Sequence, residues 1–502
     1  MSPAHQPIYL IKPEHPLDRY VLAPPLGILY LASALEKRGF TVRLVHRRLS
    51  AVDEKNLAEE IIEARPLFVG LSTFTSSSLL PALGLSRQVK ARSSIPVVWG
   101  GLHSTMLPEQ TLAEPAIDIV CRGEGEETVA RLAEALASGP DWRAALSAIP
   151  GLAYREDGQV RMTPLPPFIQ NLDAFEPAWH LLGIDRYIQA GKSIYSNLGS
   201  KLAETRVATV MTSRGCPGRC GYCYNQFVNR RSFRAHSVEF VACHVESLKR
   251  NHGVAGIVFE DDCLFTDRKR ALEIFRRIGL PWTSSIRADF LSRWGEDFAR
   301  ELKDLGCAEL RIGAESGSDT TLALMAKDIN RDDIIRSAEI CRTLGIHLLM
   351  GFMIGVPGES WAEMKKTFDL IDEMEKMGVT VAAGPAFYFP YPGTPMYGEA
   401  VRAGFKPPAS IEAWATAWGP SQPKSPYADK RARYIGAYRS LAMNKEADAV
   451  RFPWLFRGLR AISRFRWRHR WFSVPLDYHL PRAVLRGLRR VGLSKLASEV
   501  FS

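Results

Sequence analysis

The sequence predicts an α/β protein with a doubly wound parallel sheet over residues 1–150, a partial six-unit β/α barrel over 206–410, and a helical C-terminal region. Two observations predict this. Short apolar runs alternate with helical patterns over residues 7–140, and the same alternation returns after residue 206. Such alternation indicates parallel strands that are covered by helices on both faces. A chain of 502 residues also exceeds the size of one ordinary core.

The first unit has five predicted strands, at 7–13, 41–46, 67–73, 95–101 and 117–126. A helix is predicted over 25–39. Ligands of doubly wound sheets bind at the carboxyl ends of the strands. We expect a binding site in the loops there, formed by the small or polar residues Ser72, Thr73, Gly100, Gly101, Gly123 and Glu124.

Residues 151–205 are predicted to form a linker that contains a hairpin. Asp157 and Gly158 lie between two alternating runs, which is a hairpin signal. Pro164, Pro166 and Pro167 then follow.

The second unit has six predicted strands, at 206–213, 256–261, 282–287, 307–316, 347–357 and 381–390. In β/α barrels the chemistry gathers where the strands end. The polar or conformationally special residues that fall there are Cys216, Glu260, Arg287, Glu315 and Gly355.

Three cysteines, Cys216, Cys220 and Cys223, have the spacing C-x3-C-x2-C, and the other five of the eight cysteines are isolated. A cubane iron–sulfur cluster has four irons, so three thiolates would leave one iron without a protein ligand. Structural zinc normally takes four ligands, which would require a distant fourth residue. The triplet therefore favours an iron–sulfur cluster; the alternatives are a zinc site with a distant fourth ligand and three incidental thiols.

The motif C-x3-C-x-aromatic-C, with Tyr222 as the aromatic residue, resembles the radical S-adenosylmethionine (SAM) superfamily. The stretches 259–265, 351–360 and 389–397 are similar to later strand ends of that barrel. The resemblance implies a [4Fe–4S] cluster on the three cysteines and cleavage of SAM to a 5′-deoxyadenosyl radical. It also implies a SAM site formed by Tyr222, Glu260, Arg287, Glu315 and Gly355. No catalytic acid or base is assigned.

The first unit resembles the Rossmann-like cobalamin-binding domain that precedes the barrel in one class of radical SAM proteins. The matching stretches are 24–40, 69–78, 97–109 and 118–128. The resemblance implies cobalamin as a further cofactor. The D-x-H-x-x-G motif of many cobalamin enzymes is absent, so we do not expect His15 to bind cobalt, and we expect a structural role for His103. A front domain that binds no corrin is the alternative.

Together these resemblances imply a cobalamin-dependent enzyme that methylates an unactivated carbon of a biosynthetic intermediate. One alternative is an oxidative cyclase or ring-rearranging enzyme with a porphyrin- or lipid-type substrate. Another is a non-catalytic corrin- or metal-sensing module. The expected partners are a small-molecule or lipid-like substrate and an electron donor such as flavodoxin or ferredoxin.

The C-terminal region, 411–502, is basic and rich in aromatic residues. Residues 451–502 carry eleven Arg and one Lys against one Asp and one Glu, so this segment holds most of the net charge of +11. For residues 452–496 the alternatives are a cap on the barrel or peripheral contact with an anionic membrane. Nucleic-acid binding is not expected. We expect a cytoplasmic protein, because the sequence shows no signal peptide, no apolar run long enough to span a membrane and no disulfide framework.

Overall fold

A computed structural model of the chain describes residues 6–13, 23–47, 51–188, 202, 205–381, 384–417 and 453–472, together with the single positions 426, 428, 429, 431 and 435. Two sheets, each covered by helices, form the two units; the strands of the first are mostly parallel, and those of the second are all parallel. The predicted fold class is confirmed.

The front sheet has seven strands: β1 (Ile8–Pro13), β2 (Val42–Arg47), β3 (Val69–Ser72), β4 (Val97–Gly100), β5 (Ile119–Cys121), β6 (Leu152–Glu156) and β7 (Gln159–Met162). Their order is β2-β1-β3-β4-β5-β6-β7, and the first five are parallel. The helices of this unit are α1 (Leu26–Glu36), α2 (Ala51–Ala64), α3 (Leu79–Arg92), α4 (Leu102–Met106), α5 (Pro108–Leu112), α6 (Glu126–Ala137) and α7 (Trp142–Ala145).

Apolar side chains cover both faces of this sheet, as a doubly wound sheet requires. Tyr9 and Ile11 of β1 share one core with α2 and α3. Ile8 and Leu10 point to the opposite face and share a second core with α1 and α6. The near-continuous apolar character of β1 therefore reflects burial on both sides.

The predicted hairpin is present, and it extends the front sheet. Asp157 and Gly158 have φ values of 50° and 76°, as a tight two-residue turn requires. β6 pairs antiparallel with β5, and β7 pairs with β6. The front sheet thus continues past residue 150, because the hairpin covers the edge that β5 would otherwise expose.

The second sheet is parallel, with the order β15-β14-β13-β12-β11-β8 and a short β16 beside β14. A two-stranded ribbon, β9 with β10, lies outside it. The strands are β8 (Val207–Val210), β9 (Ser213–Arg214), β10 (Arg234–Ala235), β11 (Gly256–Phe259), β12 (Trp282–Ser285), β13 (Cys307–Glu315), β14 (His347–Ile354), β15 (Thr380–Val381) and β16 (Ala386–Phe387). The predicted strand 381–390 is divided into β15 and β16, and Pro385, which lacks an N–H, lies between them.

The helices of the second unit are α8 (Asn225–Val228), α9 (Val238–His252), α10 (Arg268–Ile278), α11 (Ala288–Asp304), α12 (Asp319–Leu324), α13 (Arg331–Leu344), α14 (Trp361–Lys376), α15 (Pro395–Arg402), α16 (Ile411–Ala417) and α17 (Pro453–Arg468). Many begin at a polar side chain that accepts a backbone N–H, which satisfies a donor of the first turn. These caps are Ser237, Asp267, Ser318, Asn330 and Ser360.

The two units share a core. The front-domain core that contains Tyr9 also includes Met325, Met396 and Trp414 from the C-terminal half. The indole N–H of Trp414 donates to Gln110 Oε1 at 2.6 Å. The front domain is therefore packed directly on the barrel and on α16.

α17 packs on the barrel helix α14. Trp467 is 7% exposed, and its indole N–H donates to Asp372 Oδ1 at 2.6 Å. Arg470 donates to Asp369 and Asp372. Residues 453–472 thus cap the barrel, whereas 473–496 lie outside the described residues. Among the helices of the described part, none is long and apolar enough to cross a membrane.

Replacing Trp467 by Ala should release α17, because a buried indole of this size contributes about 3 kcal/mol to packing. We expect faster tryptic cleavage within 453–472. F465A is the matched control, since the Phe465 side chain is 53% exposed on the same helix. Equal cleavage rates in the two variants would contradict this docking.

Candidate functional site

The cysteine loop, residues 215–224, follows β9 and leads into α8. It begins at Gly215, which has a φ of 88°, and a Cβ at this position would lie 1.8 Å from Ser232 O. The Gly215 N–H donates to Asp262 Oδ2 at 2.8 Å. The start of this loop is therefore fixed by the positive φ of Gly215, by the close approach of Ser232 O and by the hydrogen bond to Asp262.

The three cysteines of the motif share this loop. Cys220 is buried, and Cys216 and Cys223 are partly exposed. A Cβ on Gly218 would lie 3.2 Å from Cys216 Sγ and 3.9 Å from Cys220 Sγ, so a side chain at 218 would crowd the first sulfur and touch the second. Within the described residues, no three His, Cys, Asp or Glu side chains are placed to hold a single metal ion. Three thiols on one glycine-rich loop fit a cluster, which offers each thiolate its own iron.

A fourth thiol, that of Cys263, lies beside the loop. Its hydrogen bond with Cys216 lowers the pKa of the Cys216 thiol, and the Gly218 N–H acts in the same direction. Burial raises the pKa of Cys223 to about 12. The sequence did not single out Cys263, because it is isolated in the chain and is brought to Cys216 only by the fold.

Glu315 is held by two polar neighbours. Its Oε1 accepts the Tyr222 hydroxyl at 2.8 Å and the Lys327 ammonium at 3.2 Å. Lys327 Nζ also donates to Tyr222 Oη at 3.0 Å. The φ of Glu315 is 61°, at an irregularity in the pairing of β13 with β14. The structure thus brings together two predicted site residues, Tyr222 and Glu315, and adds Lys327.

Sequence reasoning missed Lys327, whose only signal is its place after α12 in the same β/α unit as Glu315. Burial lowers the pKa of Lys327, but Glu315 and Cys220 together outweigh burial and raise the pKa above its ordinary value, so the ammonium stays charged. The turn that follows α12 contains both Met325 and Lys327, and its backbone contacts the cysteine loop. The Gly221 N–H donates to Met325 O at 2.7 Å. Arg287 also binds this turn, donating to Lys327 O at 3.0 Å.

The remaining predicted SAM residues lie at strand ends with partners of their own. Arg287 is paired with Asp289 at 2.8 Å, and its guanidinium lies 4.0 Å from Cys220 Sγ. Glu260 forms an ion pair with Arg311 at 2.9 Å. Gly355 has a φ of 75°, and its N–H donates to the buried Glu359 at 2.6 Å. Contact of these residues with SAM stays a prediction.

Asp261, which follows Glu260, is buried and accepts hydrogen bonds from residues that precede the cysteine loop. Its Oδ1 accepts the backbone N–H of Thr212 at 3.1 Å and the hydroxyls of Thr212 and Ser213. Its Oδ2 is buried and has no hydrogen-bond partner among the described residues. Burial raises the pKa of Asp261 to about 6.

A cavity of about 220 Å³ lies at the carboxyl ends of the front strands. Its apolar wall includes Leu10, Phe68 and Val98. Predicted binding residues that line it are Ser72, Gly100, Gly101, Gly123 and Glu124. A Cβ on Gly27, another lining residue, would meet no atom within 4 Å. An apolar slot with glycines in its wall suits a flat, bulky group such as the nucleotide base of cobalamin.

Thr73 supports the cavity. Its hydroxyl donates to Gly100 O at 2.8 Å. Gly101 has a φ of 89°, and a Cβ there would lie 2.5 Å from Thr73 O. The two loops therefore fit together only with glycine at position 101.

His103 is fully buried beside these loops. Its Nδ1 lies 2.9 Å from the Thr75 hydroxyl, and burial lowers its pKa to about 4, so the imidazole is neutral. These contacts fit the predicted structural role. His15 lies outside the described residues.

Charged side chains join the cavity to the cysteine loop. Arg214 lines the cavity and donates to Glu124 at 3.2 Å and to Glu126 at 2.7 Å. Arg234 donates to Glu124 at 2.8 Å. Glu124 Oε2 also accepts the Ile169 N–H at 2.9 Å. Glu124 therefore connects the front domain with the barrel as well as lining the cavity.

G101A should destabilise the front domain by at least about 3 kcal/mol, because it adds a steric clash to an unfavourable φ. G39A is the matched control, since Gly39 also has a positive φ but a Cβ there meets nothing within 4 Å. We expect G39A to cost about 1 kcal/mol. Urea unfolding measures both variants, and equal costs would contradict the account of Thr73 and Gly101.

D261N should change how stability depends on pH. Because the folded pKa of Asp261 is raised, its carboxyl binds a proton more readily in the folded chain than in the unfolded chain. The wild type should therefore lose about 1 kcal/mol from this group as the pH rises from 5 to 7.5, whereas D261N should not. The difference in unfolding free energy between the two proteins tests this; a difference independent of pH would refute it.

Comparisons with known proteins agree with this arrangement. Residues 18–133 match the family model of the B12 binding domain, and residues 210–371 match that of the radical SAM superfamily. The chain is 33% identical over 388 residues to an uncharacterised methyltransferase of Pyrococcus horikoshii, covering 75% of this chain and 78% of that protein.

Two further comparisons are more distant. An anaerobic magnesium-protoporphyrin IX monomethyl ester cyclase of Cereibacter sphaeroides is 26% identical, over 75% of this chain and 60% of the cyclase. Among solved structures, the radical SAM methyltransferase TsrM of Kitasatospora setae, with tryptophan substrate and a SAM analogue bound, superposes with a TM-score of 0.63. It is 18% identical, and the match covers 97% of this chain and all of TsrM, which supports the shared fold.

The two family models match in the predicted order, and the Pyrococcus relative is covered over most of its length. The chain therefore belongs to the radical SAM proteins that carry an N-terminal B12-binding domain.

Proposed function

We propose that the chain is a cobalamin-dependent radical SAM enzyme that methylates an unactivated carbon of a small biosynthetic intermediate. One observation carries the proposal. The front cavity and the cysteine loop adjoin each other, because Arg214 lines the cavity and lies two residues before Cys216. A site for a corrinoid next to a site for a cluster is the arrangement that combines methyl donation with radical chemistry.

Each cofactor has its own residues in this proposal. Cys216, Cys220 and Cys223 hold a [4Fe–4S] cluster, and the front cavity holds cobalamin. The chemistry supplied by the bound groups is one-electron cleavage of SAM and donation of a methyl group. SAM lies near Tyr222, Glu315 and Arg287, with Glu260 and Gly355 at neighbouring strand ends.

The chain contributes orientation and charge. Tyr222 and Lys327 donate to Glu315 and hold its carboxylate in one position, so it can accept from a hydroxyl or amino group of SAM. Arg287 holds the turn of Lys327 against the cysteine loop and places a positive charge near Cys220. The buried setting of this network strengthens each electrostatic interaction.

The alternative is an oxidative cyclase, and the similarity to the magnesium-protoporphyrin cyclase favours it. Both reactions use the same cofactors. The product separates them, since methyl transfer adds one CH2 to the substrate mass, whereas cyclisation removes hydrogen or adds oxygen.

The substrate and partners are finer proposals. TsrM binds tryptophan, which supports a small-molecule substrate. We also propose a lipid-like substrate and peripheral contact with a membrane. The exposed side chains of Phe465 and Trp471, which lie among the arginines of residues 453–472, support this proposal. Flavodoxin or ferredoxin is the proposed electron donor, and the cytoplasm the proposed location.

The first test is anaerobic reconstitution of the full chain with iron, sulfide and hydroxocobalamin, followed by SAM and a reductant. We expect cluster absorbance, bound corrinoid and formation of 5′-deoxyadenosine. C216A should lose the cluster and reduce SAM cleavage to background. C243A is the matched control, because Cys243 is an exposed cysteine outside the loop.

Each result has a distinct meaning. Cluster formation and SAM cleavage without bound corrinoid would overturn methyl transfer through cobalamin. Bound corrinoid without SAM cleavage would favour a non-catalytic corrin-sensing module. Equal cluster content in C216A and C243A would refute the assignment of the cysteine loop.

A further inference from the structure

Four charged residues form one buried group between the two units, which we call the charged bridge: Glu124, Glu126, Arg214 and Arg234. Their side chains are between 5% and 13% exposed. Both glutamates belong to the loop and helix start after β5, and both arginines belong to the β9–β10 ribbon. The bridge therefore joins the front domain to the strand that leads into the cysteine loop.

The two arginines occupy different places. Arg214 of β9 and Arg234 of β10 lie opposite each other in the antiparallel ribbon, and both side chains donate to Glu124. Arg214 lines the front cavity, and its guanidinium lies 5.0 Å from the centre of the Tyr30 ring, another part of the cavity wall. Arg234 is not among the residues that line this cavity. Its guanidinium lies 4.4 Å from the centre of the Phe168 ring.

Arg214 is also tied to the first cysteine of the motif. Only Gly215 separates it from Cys216, and the conformation of Gly215 is fixed by its positive φ, its hydrogen bond to Asp262 and its close contact with Ser232. A displacement of the Arg214 backbone would therefore move Cys216.

The position of Arg214 is in turn fixed by charge. Glu126 is 5% exposed, so moving Arg214 away would leave a buried carboxylate without its closest ion-pair partner. Breaking one partner of a buried ion pair is strongly unfavourable. Arg214 thus has one favourable position, and that position serves both the cavity wall and the cysteine loop.

We propose that Arg214 belongs to both cofactor sites: together with Met211 it forms the barrel's part of the wall around the corrinoid, and it positions Cys216 for the cluster. This inference rests on the proposed function. A corrinoid that packs against Arg214 and a cluster that requires Cys216 in place favour the same arrangement of the ribbon. Binding at the two sites is then coupled, and the coupling acts equally in both directions.

The test measures binding and does not depend on activity. Hydroxocobalamin affinity is measured by absorbance titration of the full chain, with the reconstituted cluster and after its removal by chelation. In the wild type we expect at least about fivefold tighter binding when the cluster is present. Conversely, bound hydroxocobalamin should slow the loss of iron to a chelator, because the ribbon is then held in the arrangement that the cluster requires.

R214Q should weaken hydroxocobalamin binding and bring the affinity ratio between the two forms close to one. R234Q is the matched control, because it also removes an arginine from Glu124, but Arg234 itself does not line the cavity. We expect R234Q to keep the wild-type ratio. R214K retains the charge without the two-pronged geometry of the guanidinium, and it should give an intermediate ratio.

Three results would overturn the inference: a wild-type ratio of one, a ratio in R214Q equal to that of the wild type, or the same loss in R214Q and R234Q. The last would assign the effect to the contact between the units as a whole. If R214Q does not fold, judged by circular dichroism, R214K decides the comparison with R234K. Failure of the wild type to bind hydroxocobalamin in either form would instead overturn the proposed corrinoid function, and this inference with it.

Discussion

Buried charges that must stay paired determine how the two units of this protein meet. Arg214 and Arg234 are nearly removed from solvent, and the carboxylates that neutralise them come from the other unit. Burying such groups is costly unless each finds a partner. The contact between the sheets is therefore specific: a different arrangement of the units would leave these charges buried and unpaired.

The cysteine loop depends on a second set of constraints, which act mainly on its backbone. Gly215 accepts a conformation and a close contact that other residues cannot, and Asp262 binds its N–H. At the far side, Gly221 donates to Met325 O, and Lys327 reaches Tyr222. The sulfurs are thus presented from a loop that is held at both ends, which suits a cofactor whose ligands must keep fixed positions.

The adjacent positions of the front cavity and the cysteine loop are compatible with both methyl transfer and cyclisation. The shared core and the charged bridge hold the front cavity and the cysteine loop in adjacent positions, and both proposed reactions would use cofactors at these two places. No motif in the sequence distinguishes a methyl acceptor from a cyclisation substrate. The two proposed reactions would use the same cofactors, so the product must decide between them.

The sequence by itself determined the two α/β units, the strands that end at the site and the cysteine loop, because apolar periodicity and cysteine spacing are local properties of the chain. It also indicated the glycine-lined cavity, since Gly100, Gly101 and Gly123 lie towards the carboxyl ends of predicted strands. Only the tertiary structure decided which distant residues meet: Lys327 with Glu315, Cys263 with Cys216, and Arg214 with Glu126. It also added the hairpin to the front sheet. These contacts join segments far apart in the chain, and a lysine or an arginine in a sequence does not reveal which buried carboxylate will neutralise it.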